Sequence, residues 1–279
     1  HTMKIKTTNL STLTAGSIRL WRLWVATLAC GLATQLGAAT TTIYSNDFES
    51  YTNVATSLAD TSDADPTGVE WNIVDDAALD STPEGAGVQV INWLTNAAGQ
   101  PTKSLLLRPN SEAQIYLRNA KSGTRYQLDF WVYSARGAAS DRGFYIVLRG
   151  EGNDYNGHDY IAYRTDRAAN STKLFLYDGV KSPPAWLNIG ASHLNYVWQH
   201  HRLVIDPNTQ WVSVYVDDMV TPVTTVGRVA RSEAAVPTLV RIINEANSAD
   251  DNWWALDDFS LTVEDAPSLA TTFTEGFES

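Results

Sequence analysis

"RYQLDFWVY", at Arg125–Tyr133, is the stretch that decides the fold. Tyr126, Leu128, Phe130 and Val132 fall on one parity, and Gln127, Asp129, Trp131 and Tyr133 on the other. In an extended chain a period of two sends these sets to opposite sides. The pattern therefore predicts a strand with one apolar face and one mixed face. "RGFYIVLRG" (Arg142–Gly150) repeats it, setting Phe144, Ile146 and Leu148 against Tyr145, Val147 and Arg149. "QWVSVYVDD" (Gln210–Asp218) sets Val212, Val214 and Val216 against Trp211, Ser213 and Tyr215.

Working outward, shorter runs of the same kind follow one another: "VQVINWL", "KSLLLR", "AQIYLR", "DYIAYR", "KLFLY", "HHRLVID", "TLVRIIN" and "WALDDFSLTV". Turn-forming clusters such as "KSGT", "GNDYNGHD", "DPNTQ" and "KSPP" separate them. No segment after Thr40 carries helical periodicity. Many short two-faced strands joined by such turns predict an all-β fold, an antiparallel two-sheet jelly-roll β-sandwich, over residues 40–265.

The chain before Thr40 reads differently. His1 and Thr2 precede Met3 and read as a cloning remnant. Met3–Ala39 has the form of a secretory signal, with Lys4, Lys6, Arg19 and Arg22 ahead of or beside the uncharged stretch Leu23–Leu36. That stretch is shorter than the roughly 20 residues of a spanning helix. The expected location is secreted, extracellular or periplasmic; a lipoprotein anchored at Cys30 is the alternative. Cys30 is the chain's one cysteine, so removal of the leader leaves no thiol for a disulfide. The formal net charge is −11, and loss of the four basic leader residues makes the remainder more negative still. Such a charge disfavours nucleic acid and anionic membrane as partners.

Three stretches carry a resemblance. "WQHHRLVIDPNTQWVSVYVDD" (Trp198–Asp218) resembles the late hairpin of laminin-G-like and concanavalin-like sandwiches, with Asp218 in place of a glycine. "WWALDDFSLTV" (Trp253–Val263) resembles the last strand of many carbohydrate-binding modules and related polysaccharide-active sandwich domains, and "YSNDFES" (Tyr44–Ser50) their first. The resemblance implies that first and last strands lie side by side and share a structural Ca²⁺. Glu49, Asp257 and Asp258 supply oxygen ligands of the kind that ion takes. It also implies that residues 266–279 hold a Pro/Ser/Thr-containing linker and, with "GFES" (Gly276–Ser279), the start of a further module of a multimodular chain.

For function, the residues leave three classes open. The first is polysaccharide binding, ancillary to polysaccharide degradation, by a monomer that touches neither nucleic acid nor, once the leader is cut, a membrane. With 10 Trp and 12 Tyr in the chain, the outward rings Trp131, Tyr133, Tyr145, Trp211 and Tyr215 are the stacking candidates and Arg149 the hydroxyl-recognising one. The second class is a polysaccharide lyase or glycoside hydrolase on the same fold. Its candidate lyase set is His200, Tyr215, Arg149, Arg202 and Arg241, a base, an acid and carboxylate-neutralising cations. The strand motifs that mark such lyases and laminarinase-like hydrolases are missing. The third is a structural or adhesive surface module. A zinc site is not expected: His200 and His201, adjacent on a strand, point to opposite faces, and His158 and His193 fall in predicted loops.

Overall fold

The computed structural model describes residues 38–51, 70–75, 87–109, 111–117, 121–135, 142–150, 159–168, 171–178, 185–227, 236–244 and 253–265. The expected leader up to residue 37, Cys30 and His158 within it or beyond, and the expected linker and second module over 266–279 lie outside these residues. Within them every regular element is a strand: β1 (Thr40–Asn46), β2 (Glu70–Asp75), β3 (Val88–Thr95), β4 (Pro101–Leu107), β5 (Ser111–Tyr116), β6 (Arg125–Ala135), β7 (Arg142–Arg149), β8 (Asp159–Ala168), β9 (Ser171–Asp178), β10 (Ala185–His193), β11 (Trp198–Asp206), β12 (Trp211–Val216), β13 (Thr224–Val226), β14 (Leu239–Asn244) and β15 (Trp253–Glu264).

They form two antiparallel sheets. Sheet A runs β13-β12-β11-β6-β15-β4-β3, with β1 also on β15; sheet B runs β10-β9-β8-β7-β14-β5-β2. The expected all-β, two-sheet sandwich is what the chain adopts. The terminal strands do pair: Thr40 faces Glu264 and Asn46 faces Phe259. Strand β15 is central to sheet A. One of its edges lies along β6, while the other is shared end to end, Trp254–Leu256 taking β4 and Phe259–Glu264 taking β1.

The apolar parity of each strand fills the space between the sheets. Leu128, Phe130 and Val132 of β6 and Phe144, Ile146 and Leu148 of β7 are all fully buried. Trp254 stacks on Phe144 with ring centroids 5.5 Å apart. Truncating such a buried ring to alanine costs about 3–5 kcal/mol. Gly143 is required beside it, because a Cβ there would lie 2.3 Å from Thr165 Oγ1 and 2.9 Å from the Thr165 carbonyl.

One polar chain crosses this interior. Tyr163 of β8 lies 2.7 Å from Nδ1 of His201 on β11. His201 Nε2 lies 3.4 Å from Nδ1 of His193, which stands at the end of β10 and not in a loop as its sequence context suggested. All three side chains are buried. Phe130 stacks on His201, and Trp254 lies against His193. If the Tyr163 hydroxyl donates to His201 and His201 to His193, only His193 Nε2–H is left over. The reverse order leaves both a donor and an acceptor unmet, so the first is favoured. His193 Nε2 has no hydrogen-bond partner among the described residues. Burial pushes His193 down to about 3, and burial, then His193 and His200, holds His201 well below the ordinary histidine range. Both rings are neutral at pH 7.

Candidate functional site

Two features of sheet A come from the residues singled out in the sequence. The first is the place where β1 ends, β4 begins and β15 passes both. "NDFES" makes a tight turn there. Asn46 Oδ1 accepts the Phe48 amide at 2.7 Å, and the Asn46 amide group donates to the Tyr44 and Tyr51 hydroxyls. Phe48 takes φ 58°, a costly region for a bulky residue, and buries its ring. This turn carries Glu49 to β4. Lys103 N donates to Glu49 Oε1 at 2.8 Å, and the Lys103 ammonium bonds the Glu49 and Tyr51 carbonyls at 2.7 and 2.9 Å.

On β15, pairing with β6 slips between Asp257 and Ser260, and Asp258 takes φ 47°. A bulge of this kind re-aims side chains. Asp257, 4% exposed, turns toward Thr102, whose hydroxyl lies 2.8 Å from Asp257 Oδ2 and 3.0 Å from Glu49 Oε1. One hydroxyl proton cannot serve both carboxylates. Burial pushes the Asp257 carboxyl up to about 7, with Asp258 and Glu49 adding to the rise against the Thr102 and Asp258 hydrogen bonds. Asp258 is raised as well, by burial and Asp47. It lines a shallow pocket of about 300 Å³ with Asp47, Ser45, Ser50 and Ser260. Glu49 and Asp257 thus come together through Thr102, and Asp258 faces the neighbouring hollow. The donors are all hard oxygens, as Ca²⁺ prefers. Among the described residues no three carboxylate, histidine or cysteine side chains close on one point. A cation there would draw on Glu49, Asp257, Thr102 and backbone carbonyls.

The second feature is the outward face of β12, β11, β6 and β15. In register, Tyr215, Arg202, Asp129 and Ser260 form one row; His200 and Trp131 sit in the next, and Trp198 and Tyr133 in the one beyond. Asp129 is the polar centre. Gln127 donates to it at 2.6 Å and Arg202 at 2.7 Å, and His200 Nε2 lies 3.1 Å away. Trp131 stacks flat on His200, centroids 4.9 Å apart and planes 11° from parallel. Tyr133 stacks on Trp253 at 5.6 Å, Trp253 meets Trp93 edge-on at 5.0 Å, and Tyr133 leans on Trp198. Trp93 is 56% exposed and Tyr196, whose amide bonds the Ser134 carbonyl, is 61% exposed. Trp211, 50% exposed, stands at the far end of β12.

The remaining candidates lie elsewhere. Tyr145, Arg149 and Arg241 are on the outward side of sheet B and are buried. Arg241 forms a bidentate pair with Glu112 at 2.5 and 2.6 Å. The sequence reading had joined Trp131, Tyr133, Trp211 and Tyr215 with Tyr145 and Arg149 in one ligand surface, and His200, Arg202 and Tyr215 with Arg149 and Arg241 in one lyase set. Neither set converges, because the two sheets turn their outward faces in opposite directions. Strand parity says which residues share a face of one sheet but not which sheet a strand joins.

Residues not singled out complete both faces. On sheet A these are Trp93, Trp253 and Tyr196. Trp93 and Trp253 lie within stretches already read as strands; Trp253 follows the regular parity of β15, whereas Trp93 sits at a bulge between Ile91 and Leu94 that sequence does not announce. On sheet B, Arg164 is held among rings, 4.0 Å from the Trp186 centroid and 5.6 Å from Tyr145 and Phe175.

No protein-family model matches the chain. No curated protein matches it either. Among solved structures, a conserved carbohydrate esterase from the Shiga toxin-encoding bacteriophage phi24B aligns with a TM-score of 0.52 at 11% identity, over 81% of this chain and 100% of that one. The receptor-binding domain of the botulinum neurotoxin C/D mosaic serotype aligns with a TM-score of 0.45 at 12% identity, over 71% of this chain and 44% of that one. The serotype D ligand-binding domain in complex with N-acetylneuraminic acid gives 0.44 at 12% identity, over 72% and 44%. The chain therefore spans less than half the length of those toxin domains. At such identities the likeness to the phage protein is one of fold: an antiparallel β-sandwich.

Proposed function

We propose that this chain binds carbohydrate on the outward face of sheet A. The observation that carries the reading is the connected run Trp93–Trp253–Tyr133, with Trp93 more than half exposed and a hydrogen-bonding cluster around Asp129 alongside. Exposed rings stack on the apolar faces of sugars, while fixed polar groups orient hydroxyls. A run of rings spread over several strands suits a chain-like ligand, so the partner is a polysaccharide. The carbohydrate-related proteins among the structural likenesses are consistent with this role but do not carry it. Of the lyase set, His200, Arg202 and Tyr215 share this face, while Arg149 and Arg241 stand on the outer face of the other sheet. The test is retention of the protein and its Trp253→Ala variant on insoluble polysaccharides. Retention of the parent with clear loss in the variant is expected; equal retention would remove the reading.

Two further proposals accompany it. A Ca²⁺ ion at Glu49 and Asp257 ties the β1 turn to β15, offsetting the burial and, second to it, the neighbouring carboxylates that raise Asp257; Asp258 adds charge from the adjoining hollow. The chain also acts outside the cytoplasm as an ancillary module, since the basic and apolar order of Met3–Ala39 is that of a cleaved leader. Intact-mass measurement of the exported product checks the cleavage, and a product that retains Met3 would contradict it.

A further inference from the structure

We infer that the glycan recognised by the outward face of sheet A is uncharged, and not one bearing uronate, sialate or sulfate groups. This rests on the reading that the face binds carbohydrate and narrows its ligand class.

The inference follows from where the charges sit. Arg108 follows β4 in line with Trp253, and the outward positions of β6, β11, β12 and β15 themselves hold two arginines, Arg125 and Arg202. Each is matched within the face, Arg202 to Asp129 at 2.7 Å and Arg125 to Glu264 at 3.6 Å. Leaving aside Asp257 and Asp258 at the proposed cation site, the carboxylates at or beside those positions are Asp129, Asp206, Asp217 and Glu264. Asp217, exposed at the end of β12, accepts the His200 amide and the Gln199 side chain, which fixes a negative charge next to the Trp131–His200 stack. An anionic sugar laid across Trp253, Tyr133 and Trp131 would meet like charge within about one Debye length of roughly 8–10 Å, and like-charge juxtaposition selects against a partner.

An uncharged sugar has no such cost. Its hydroxyls donate to carboxylate oxygens, and ring stacking is indifferent to net charge. Sheet B supplies the contrast. Its outward face carries Arg149, Arg164 and Arg241 with Glu112, and there the first and third arginines are buried.

Affinity electrophoresis of the chain through gels containing uncharged polysaccharides (β-glucan, xylan, galactomannan) or acidic ones (alginate, polygalacturonate, hyaluronan) tests this, with the Trp253→Ala variant run in parallel. The expected result is retardation by at least one uncharged polymer, changing less than about twofold between low and high salt, lost in the variant, and absent from the acidic gels. Retardation by an acidic polymer that fades with salt would overturn the ligand class and leave carbohydrate binding standing. No retardation in any gel, or equal retardation of parent and variant, would overturn the carbohydrate reading and this inference together.

Discussion

The outward faces of the two sheets are built from the same residue types and behave as opposites. On sheet B, Arg241 and Glu112 pair out of solvent, and Arg164 is stacked among Trp186, Tyr145 and Phe175. On sheet A, Trp93 and Trp211 stand half open to water, and Asp129, as buried as Glu112, is held by His200 and Arg202, whose side chains are 21% and 25% exposed. Alternation marks a side chain as pointing away from the sandwich, but pointing away is not the same as being exposed. The neighbouring pair His200 and His201 makes the point at one residue's distance: His200 faces out onto Trp131, while His201 is sealed in the core chain with Tyr163 and His193.

The hardest blow to this contrast would come from the sheet B pair. Glu112→Ala strips a buried guanidinium of its carboxylate, which costs about 3–5 kcal/mol. Urea unfolding should show that loss while glycan retention per folded molecule stays unchanged. Acid comes next. The folded pKa values of His193 and His201 lie below the unfolded value near 6.5, so their contribution is fully present above that pH and is lost as pH falls below it. For His193 the loss between pH 6.5 and 5 is on the order of 1–2 kcal/mol, and His201 adds to it in the same direction. Among the described residues the groups against them are Tyr163 and each other, with the rings of Phe130 and Trp254, and none is a carboxylate; His200, on the other face of β11, acts on His201 through space. Thermal melts of the parent and His193→Phe at pH 7.5 and 5 check this; the variant should lose less on acidification.

Smaller in free energy, Trp253→Ala should weaken glycan affinity about tenfold, or roughly 1.4 kcal/mol, with folding largely kept. Trp186→Ala on sheet B should leave that affinity unchanged. Smallest is chelation, which should lower the melting temperature of the parent by a few degrees and that of Asp257→Asn by less. An identical melt with and without chelator would remove Ca²⁺ from the junction.

Much of this architecture could be read from the chain. Period-two runs gave the strands, and the "FES" and "LDDFS" segments pointed to paired termini, which meet as Asn46 and Phe259. Trp131, Tyr133, Trp211 and Tyr215 do share one face. Sequence does not carry the pairing order, so Tyr145, Arg149 and Arg241 were assigned beside residues that the β7–β14 pairing places on the other sheet. It also hides bulges. The slips at Ile91/Leu94 and Asp257/Ser260 break strict parity, and they set the surroundings of Trp93 and the aim of Asp257 and Asp258. The core histidine chain was invisible for the same reason: His193 and His201 meet across the sandwich from strands of different sheets.

The most direct test is to follow the indole N–H signals of the protein by NMR while titrating an oligosaccharide cut from the best-retarding polysaccharide. Shifts confined to Trp93, Trp253 and Trp131, with Trp186 unmoved, are the result predicted here. Movement of Trp186 with silent Trp93 and Trp253 would put the ligand on sheet B and contradict the account.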